Sequence, residues 1–540
     1  MKAQCLPFSQ IPHTTRLFAD FLAGSPNVQQ FYPNSSNIGQ WLQKLPTHYD
    51  SARRKAVAAI LERQNNSWNA SARTTENIRR LRNGAAAIVT GQQVGLFGGP
   101  MFAIYKALSA VKLAEQATEN GIDVVPIFWL ATYDHDLAEV STVALPGPEG
   151  GLQTLQISSQ AAPGTPVSAV RLGDEIVPVV DRAISLLGES DASRILRDCY
   201  RPGETLGSAF AQFYSELFAE WGVILLDASD PELHQIAKPI YRAAIEQSGT
   251  LADRLLSRGG ELEAAGYHQQ VKVTESSVLV FVLQDGVRTA IQRREDGNRS
   301  EFYIGAEASA EKLSQDELLS RIENQPELFS PNVLLRPVVQ DYLLPTMAYT
   351  GGAAEVAYFA QANVIYDRLL GHVTPIVPRY SATLVDSKAQ RLLEKHGVTL
   401  IDVLAGPDAL KQKLAARSLP EDLQAAFDTA GKSLERTMAI IQEKLGKLDR
   451  TLMDAAQTAT SKMQYQIERL HIQAGRAELR QADVIARHAE TLSESLYPNK
   501  GLQERTIGGV HFVSRYGREL LQQIYSTIHI DCHDHQIVDL

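Results

Sequence analysis

The sequence predicts an α/β protein with a doubly wound parallel sheet, a small antiparallel β insertion and a long helical coiled coil. Three observations support this prediction. Short buried strands alternate with helices in the first half of the chain, Asp-Gly pairs separate strand-like runs near residue 290, and residues 421–496 lack proline and carry a heptad pattern.

The first β-α-β unit lies between Gly84 and residue 130. Residues 85–90 form a short apolar run that ends at Gly91, which is typical of a buried parallel strand. Residues 102–116 show helical periodicity, and the apolar residues 124–130 predict the next strand. A strand, a helix and a strand at this spacing predict a parallel sheet. Further elements are predicted as a helix at 49–82, a helix at 210–221 and a strand at 222–227.

The antiparallel insertion is predicted from four short strand-like runs, at residues 270–274, 278–283, 287–293 and 301–304. Asp285-Gly286 and Asp296-Gly297 separate the later runs, and such dipeptides favour tight hairpin turns.

The helical arm is predicted from a seam of apolar residues in steps of four and three. Gly475 is either a turn between two antiparallel helices or a residue within one helix, which would be about 110 Å long. The seam must pack against its own returning helix or a second subunit, and the pattern leaves both open. Its residues are Leu434, Met438, Ile441, Leu445, Leu448 and Leu452; the seam weakens at Ala455 and Ala459 and resumes at Met463, Ile467 and Leu470.

Composition limits the class of protein. The 540 residues exceed one usual core, so two or three structural units are expected. The 62 acidic and 52 basic side chains give a net charge of −10, which argues against a general nucleic-acid binder. Three distant cysteines favour reduced thiols over a disulfide framework. There is no signal-like N-terminus and no apolar run long enough to cross a membrane, so a cytoplasmic location is expected.

A glycine-rich loop follows the first predicted strand and opens the next helix. Backbone N–H groups at such a position bind anions, and ligands of open parallel sheets sit where the strands end. The loop fits neither of the common phosphate-loop patterns, and the alternative is a tight strand-to-helix turn. The candidate residues are Gly91, Gln92, Gln93, Gly95, Gly98 and Gly99.

Asp134, His135 and Asp136 follow the next predicted strand. They offer a general base with an orienting carboxylate, whereas adjacent residues rarely bind one metal ion together. The alternative is a polar turn that caps a helix beginning near Leu137.

A third polar cluster begins at Arg336, whose guanidinium can hold a carboxylate or phosphate with two hydrogen bonds. Glu355 is either part of the site or a partner of the helix N-terminus at which it lies. The other members of this cluster are Gln340, Asp341, Tyr349, Tyr358 and Gln361.

The C-terminal tail contains Cys532 among three histidines, but its spacings match no standard zinc site. A solvated chain end without a metal ion is therefore the expectation.

Four ordered motifs span the chain. They are Thr90-Gly91-Gln92-Gln93-x-Gly95-Leu96-x-Gly98-Gly99-Pro100, Trp129-x-x-x-x-Asp134-His135-Asp136, Leu335-Arg336-Pro337-x-x-Gln340-Asp341 and Leu502-Gln503-Glu504-Arg505. Together with the arm and its Tyr497-Pro498-Asn499 exit, they resemble the BshC family, which is named for adding cysteine in bacillithiol biosynthesis.

The resemblance implies a Rossmann-like core similar to class I nucleotidyltransferases and aminoacyl-tRNA synthetases. It implies ATP or ADP binding and a homodimer formed through the coiled coil. It also implies a ligase that joins the carboxyl group of cysteine to the amine of glucosaminyl malate, the last step of bacillithiol biosynthesis. The expected units are a core at 1–388 with insertions at about 150–210 and 266–306, an arm at 389–497 and a returning segment at 498–540.

Under this hypothesis the candidate residues take three roles. The nucleotide would be held by the loop glycines and glutamines together with Gln503 and Arg505. Catalysis would use Asp134, His135, Asp136, Arg336, Asp341 and Glu355, with Arg336 on a substrate carboxylate. Substrate contacts are expected from Trp129, Gln340, Tyr349, Tyr358 and Gln361.

Two other functions remain open from the sequence. One is a non-catalytic nucleotide-binding scaffold or sensor whose arm docks partner proteins. The other is a nucleotidyltransferase or synthetase-like enzyme with a different substrate, although the acidic balance disfavours tRNA.

Overall fold

The strands in the described part of the chain form four sheets. The computed structural model describes residues 2–33, 49–148, 150–158, 161–296, 299–305, 310–416, 421–449, 452–479, 483–529 and 532–540. The strands in it are β1 (Ala3–Leu6), β2 (Ala86–Gln92), β3 (Val124–Leu130), β4 (Thr142–Pro146), β5 (Leu152–Gln156), β6 (Ile224–Asp227), β7 (Ser277–Gln284), β8 (Val287–Asp296), β9 (Arg299–Ile304), β10 (Glu311–Ser314), β11 (Phe329–Pro331), β12 (Thr346–Gly351), β13 (Ile376–Pro378), β14 (Ala382–Val385) and β15 (His535–Asp539).

The helices account for most of the remaining described chain. In order they are Arg16–Leu22, Pro26–Gln29, Ser51–Ser67, Ala72–Asn83, Met101–Glu119, Leu137–Val140, Ile176–Leu187, Asp191–Cys199, Leu206–Leu217, Pro231–Glu246, Ser248–Ala264, Gln315–Asn324, Arg336–Leu343, Ala353–Leu370, Ser387–His396, Leu400–Leu404, Pro407–Ala416, Glu421–Leu448, Leu452–Leu479, Asp483–Leu496, Gln503–Thr506, Gly509–Tyr516 and Glu519–Thr527.

The central sheet is parallel throughout, in the order β13-β12-β2-β3-β6. Its two faces carry separate cores, because alternate residues of a strand point to opposite sides. On β3, Ile127 packs into one core and Phe128 into the other. The helix Met101–Glu119 covers one face and Ser51–Ser67 lies on the other. The predicted doubly wound parallel sheet is therefore confirmed.

The single helix predicted at 49–82 is wrong. Two helices occupy this stretch, Ser51–Ser67 and Ala72–Asn83. The break comes at Asn69, whose φ of 54° is left-handed, and Ser71 then caps the second helix by accepting a hydrogen bond from the Thr74 N–H. The helix predicted at 210–221 is shifted, because Thr205 caps a helix that runs from Leu206 to Leu217.

The antiparallel sheet has the order β10-β9-β8-β7-β11 and confirms the predicted insertion. Asp285 and Gly286 have φ values of 51° and 78°, as a tight hairpin turn requires. Gly297 of the second predicted turn lies outside the described residues. Residues 270–274 do not form the expected strand. Instead, the backbone of Val271 pairs with the side-chain amide of Gln361.

The arm is a hairpin of two helices, Glu421–Leu448 and Leu452–Leu479, which pack along each other. Each helix is about 42 Å long at roughly 1.5 Å per residue. Gly475 lies inside the second helix, so the turn that was considered there is wrong. The chain reverses between Leu448 and Leu452, within the seam that the heptad pattern made continuous.

The two ends of the chain meet in the sheet β1-β15-β14, which also corrects the expectation of a solvated tail. His535 and Val538 in β15 are fully buried, and the strand pairs in parallel with β14 next to the core. None of the helices in the described ranges is long and apolar enough to cross a membrane.

Candidate active site

A cavity of about 680 Å³ opens where the parallel strands β2, β3 and β12 end. Strands β7, β8 and β11 of the antiparallel sheet form its opposite wall, together with residues 271–274. Ligands of open α/β sheets bind at this edge, and the volume falls in the range of small-molecule sites. The cavity therefore lies between two parts of the chain that are far apart in sequence.

A buried ion pair lies on the floor of the cavity. Lys106 comes from the helix after the glycine-rich loop, and its Nζ lies 2.6 Å from an Oε of Glu355. The same ammonium group donates to the carbonyl of Gly91 at 2.7 Å and to Oε1 of Gln92 at 3.0 Å. Burial lowers the pKa of Lys106 to about 8 against the opposing effect of Glu355. Lys106 thus ties the end of β2 to the helix after β12.

Both carboxylate oxygens of Glu355 accept from protein donors. Besides Lys106, it accepts hydrogen bonds from the Gly352 N–H at 2.7 Å and the Tyr349 hydroxyl at 2.5 Å. Burial alone would raise the pKa of Glu355, but the charge of Lys106 and these donors hold it below its usual value. Glu355 is consequently an ionised cap of its helix that positions Tyr349.

Arg336 presents a buried guanidinium to the cavity and is only 9% exposed. It donates to Oε1 of Gln340 at 3.0 Å and to the Tyr358 hydroxyl at 2.7 Å, and it lies over the ring of Tyr349. Within the described ranges it forms no ion pair with any carboxylate. Since buried charges are normally paired, this guanidinium is suited to an anionic ligand.

Gln340 and Asp341 stand behind Arg336 rather than on the cavity wall. Gln340 donates to Asp341 at 2.9 Å, and Asp341 accepts from the Tyr366 hydroxyl at 2.6 Å. Burial raises the pKa of Asp341. This places the two predicted site residues in a supporting network, out of contact with a ligand in the cavity.

Of residues 134–136, only Asp134 lines the cavity, whereas the other two contact neighbouring parts of the protein. Asp134 lines the cavity and accepts a hydrogen bond from the Gln93 amide at 2.7 Å. Asp136 caps the helix Leu137–Val140 by accepting from the Glu139 N–H, which was the alternative interpretation of this turn. His135 lies behind the wall, where its Nδ1 is 3.2 Å from Arg288.

Arg288 connects the antiparallel sheet to this segment. It donates to the Ser330 hydroxyl at 2.9 Å and the Pro331 carbonyl at 2.7 Å, and its guanidinium lies 3.9 Å from Asp134. Arg288 was not among the predicted site residues, because a lone arginine on an antiparallel strand is indistinguishable in sequence from a solvent-exposed one.

Only part of the glycine-rich loop borders the cavity. Gly91, Gln92 and Gln93 line the cavity, whereas Gly95, Gly98 and Gly99 lie in a buried turn away from it.

Gly98 lies in a buried turn because this part of the loop packs against the helix Leu206–Leu217. The hydroxyls of Tyr200 and Tyr214 bond the backbone of Gly98, and a Cβ there would lie 2.7 Å from Phe213. The N–H of Met101, which begins the next helix, donates to the carbonyl of Ile507. The first N–H group of this helix is therefore already paired within the protein, which argues against an anion cradle at this point.

Two further predicted contacts also belong to the fold. Gln503 bonds the backbone N–H and carbonyl of Leu384, each at 2.8 Å, and does not line the cavity. Gln361 bonds Val271 and is fully buried. By contrast, Trp129, Tyr349, Tyr358 and Arg505 line the cavity as expected of site residues.

Two polar atoms on the wall have no partner among the described residues. They are Nε1 of Trp129 and the hydroxyl of Tyr133, neighbouring side chains that are both buried. Buried polar groups are normally hydrogen-bonded, so both groups are suited to donate to a ligand acceptor.

A second buried ion pair supports the cavity edge. Arg379 lies 2.5 Å from Glu504, which also accepts from the Ser381 hydroxyl. Burial alone would raise the pKa of Glu504, but the charge of Arg379 holds it below its usual value. The guanidinium groups of Arg379 and Arg505 flank the ring of Phe102 at 5.2 and 5.7 Å.

Like Arg288, Lys106 and Arg379 were not among the site residues predicted from the sequence. The only signal for Lys106 was its isolated charge in the apolar first half of the helix that follows the loop. No group of three or more His, Cys, Asp or Glu side chains that could hold a metal ion occurs in the described part of the chain.

Comparison with known proteins agrees with this architecture. Residues 1–380 match the family description "Bacillithiol biosynthesis BshC, N-terminal Rossmann-like domain", and residues 382–540 match its C-terminal coiled-coil domain. A protein named "Putative cysteine ligase BshC" from Koribacter versatilis is 47% identical over 100% of both chains. Proteins of the same name from Solibacter usitatus and Salinibacter ruber are 36% and 34% identical, covering 100% and 97% of this chain and 100% and 96% of their own.

Proposed function

The chain belongs to the BshC family of bacillithiol biosynthesis, and we propose that it joins the carboxyl group of cysteine to the amine of glucosaminyl malate. The product would contain a new amide bond. This reaction would be the last step of the pathway, and it would depend on a nucleotide. The observation that carries the proposal is the buried guanidinium of Arg336, which faces the cavity without a carboxylate partner.

Arg336 would hold a carboxylate of glucosaminyl malate. Its hydrogen bonds to Gln340 and Tyr358 use two of its five N–H groups, which leaves donors for a bidentate contact. The nearby orphan donors of Trp129 and Tyr133 would complete the contacts to the same substrate. In a site shielded from water, such charge-assisted bonds also fix the orientation of the amine.

The attacking amine must lose a proton before it forms an amide. Asp134 is the member of its segment that reaches the cavity, and Gln93 fixes its carboxylate at 2.7 Å. We assign to it the orientation of the ammonium group and the acceptance of its proton. His135 and Arg288 would then act through Asp134 as positioning residues.

Amide formation from a free carboxylate is unfavourable in water, so ATP would supply the activation of the cysteine carboxyl group. The fit of this chain to a nucleotide rests on its cations. Arg505 and Arg379 both lie near the ring of Phe102 at the cavity edge, and Lys272 lies on the wall opposite. Arg505 would contact the phosphates, while Gly91 allows close approach at the end of β2.

The test uses Arg336→Met with Arg293→Met as a matched control. Arg293 is also 9% exposed, but it pairs with Glu295 and does not line the cavity. Loss of charge-assisted hydrogen bonds worth about 1.5–3 kcal/mol predicts about 10- to 150-fold weaker binding of glucosaminyl malate to Arg336→Met. Calorimetry measures the binding, and mass spectrometry with cysteine and ATP measures the product.

Wild-type binding by Arg336→Met would contradict this site. If neither cysteine nor glucosaminyl malate binds the unmodified chain, the scaffold or sensor function becomes the better explanation. Product formed with another amine would favour the synthetase-like alternative.

We also propose that the arm forms a homodimer. Its hairpin leaves large apolar side chains in solvent, including Leu448 (80% exposed), Tyr465 (63%) and Leu470 (59%). A second copy would cover them, as coiled-coil seams require. Light scattering should report a dimer for the wild type and a monomer for Leu470→Glu. Ile401→Glu, which alters an apolar residue 46% exposed outside the hairpin, should stay dimeric. A monomeric wild type would refute the proposal.

A further inference from the structure

The terminal sheet brings two of the three cysteines into contact. Cys5 lies on β1, which pairs antiparallel with β15 and places Cys5 opposite Gln536. Cys532 precedes β15, and its Sγ lies 3.0 Å from the Sγ of Cys5. The two residues are 527 positions apart, so only the pairing of the chain ends produces this contact.

Both thiols can be reached by small reagents. Cys5 is exposed and Cys532 is partly exposed, whereas Cys199 is buried. The hydrogen bond to Cys532 and partial burial raise the pKa of Cys5 to about 11, so the pair carries at most one thiolate near neutral pH. Burial raises the pKa of Cys199 to about 12, which keeps that thiol unreactive.

We propose that Cys5 and Cys532 form a dithiol modification site that exchanges with low-molecular-weight disulfides and closes into an intramolecular disulfide. The sulfur atoms would move about 1 Å, since a disulfide bond is about 2.05 Å long.

The exchange proceeds in two balanced steps. One cysteine thiolate attacks the small disulfide, forms a mixed disulfide and releases one small thiol. The second cysteine loses its proton and attacks the Sγ of the first cysteine, which forms the intramolecular disulfide and releases the second small thiol. Two electrons and two protons thereby pass from the cysteine pair to the small disulfide.

The disulfide would fasten the edge strand of the terminal sheet. β1 has four residues, and the first three of them are exposed, so it is suited to fraying. Beneath it, His535 of β15 contacts the hydroxyls of Ser381 and Thr383. Oxidation is therefore expected to lock the strand that covers this buried network.

The experiment treats the full chain with cystine and examines it by digestion without reductant and mass spectrometry. A linked peptide containing Cys5 and Cys532 is expected, at a mass lower by two hydrogens and reversible with dithiothreitol. Cys199→Ser is the matched control and should form the same link. Cys5→Ser should instead stop at cysteinylated Cys532.

Hydrogen exchange provides a second measurement. The amides of β1 should exchange at least about tenfold more slowly after oxidation, because the link prevents fraying. The inference is overturned if both thiols are cysteinylated without linking, if the link involves Cys199, or if linking leaves exchange of β1 unchanged.

Discussion

The ion pair between Lys106 and Glu355 is the feature on which the architecture of the cavity floor depends most. Lys106→Met removes the ammonium group that joins the end of β2 to the helix after β12, and Glu355→Gln removes the carboxylate. Each single change leaves one buried group without its partner. The double variant removes both charges together.

The structure sets the expected magnitudes. The side chains of Lys106 and Glu355 are 4% and 14% exposed, and breaking such a buried pair costs about 3–5 kcal/mol. Lys447 and Glu443 on the arm form an ion pair of the same 2.6 Å length but are 74% and 68% exposed. Removing either of those should change stability by less than about 1 kcal/mol. Burial is thus what separates the two pairs.

Urea denaturation followed by tryptophan fluorescence measures the effect, because all four tryptophans precede residue 222 and report on the N-terminal domain. We expect the double variant of Lys106 and Glu355 to be more stable than the sum of the single effects predicts, by about 2 kcal/mol or more. The reasoning is refuted if either single variant loses less than about 1 kcal/mol, or if the two losses simply add.

Two further predictions concern stability. Gly98→Ala should cost about 2–4 kcal/mol in unfolding free energy, because the added Cβ would clash with Phe213. Gly121→Ala has a similar φ but open space around it and should cost about 1 kcal/mol, so equal losses would exclude the clash as the cause. Burial lowers the pKa of His535 to about 4, so the stability contributed by the neutral imidazole is complete above pH 6.5 and is lost as the pH falls towards 4. Urea denaturation between pH 6.5 and 4 should show that His535→Gln removes about 3 kcal/mol of the wild-type loss of stability, and a pH dependence equal to that of the wild type would contradict this.

The sequence was most informative where a local pattern has one physical meaning. A short, continuous apolar run is typical of a strand buried on both faces, and so β2, β3 and β6 were predicted within two residues of their bounds. β12 and β13 of the same sheet were not predicted as strands. Asp285-Gly286 permits the positive φ values of a tight hairpin turn. The heptad seam predicted a helical arm but missed its reversal near residue 450, because apolar spacing continues through the turn.

The glycine-rich loop shows why the site was harder to predict than the sheet. Gly91 and Gly98 are both required by close packing, the first against Trp129 and the second against Phe213. Only Gly91 borders the cavity. A sequence records that a side chain is absent but not which neighbour excludes it, so glycines of the fold and of the site have the same signature.

The cavity charges explain why its key residues come from distant stretches. A buried charge is tolerated only with a partner, and Lys106 and Arg379 each receive a carboxylate from another element. The two members of such a pair lie far apart in sequence, so no regular residue spacing predicts that they meet. Arg336 departs from this pattern, since its hydrogen bonds go to neutral partners and it interacts with the charge of Glu355 without forming an ion pair with that carboxylate. An anionic ligand would complete its contacts, and in the proposed reaction we assign that role to the carboxylate of glucosaminyl malate.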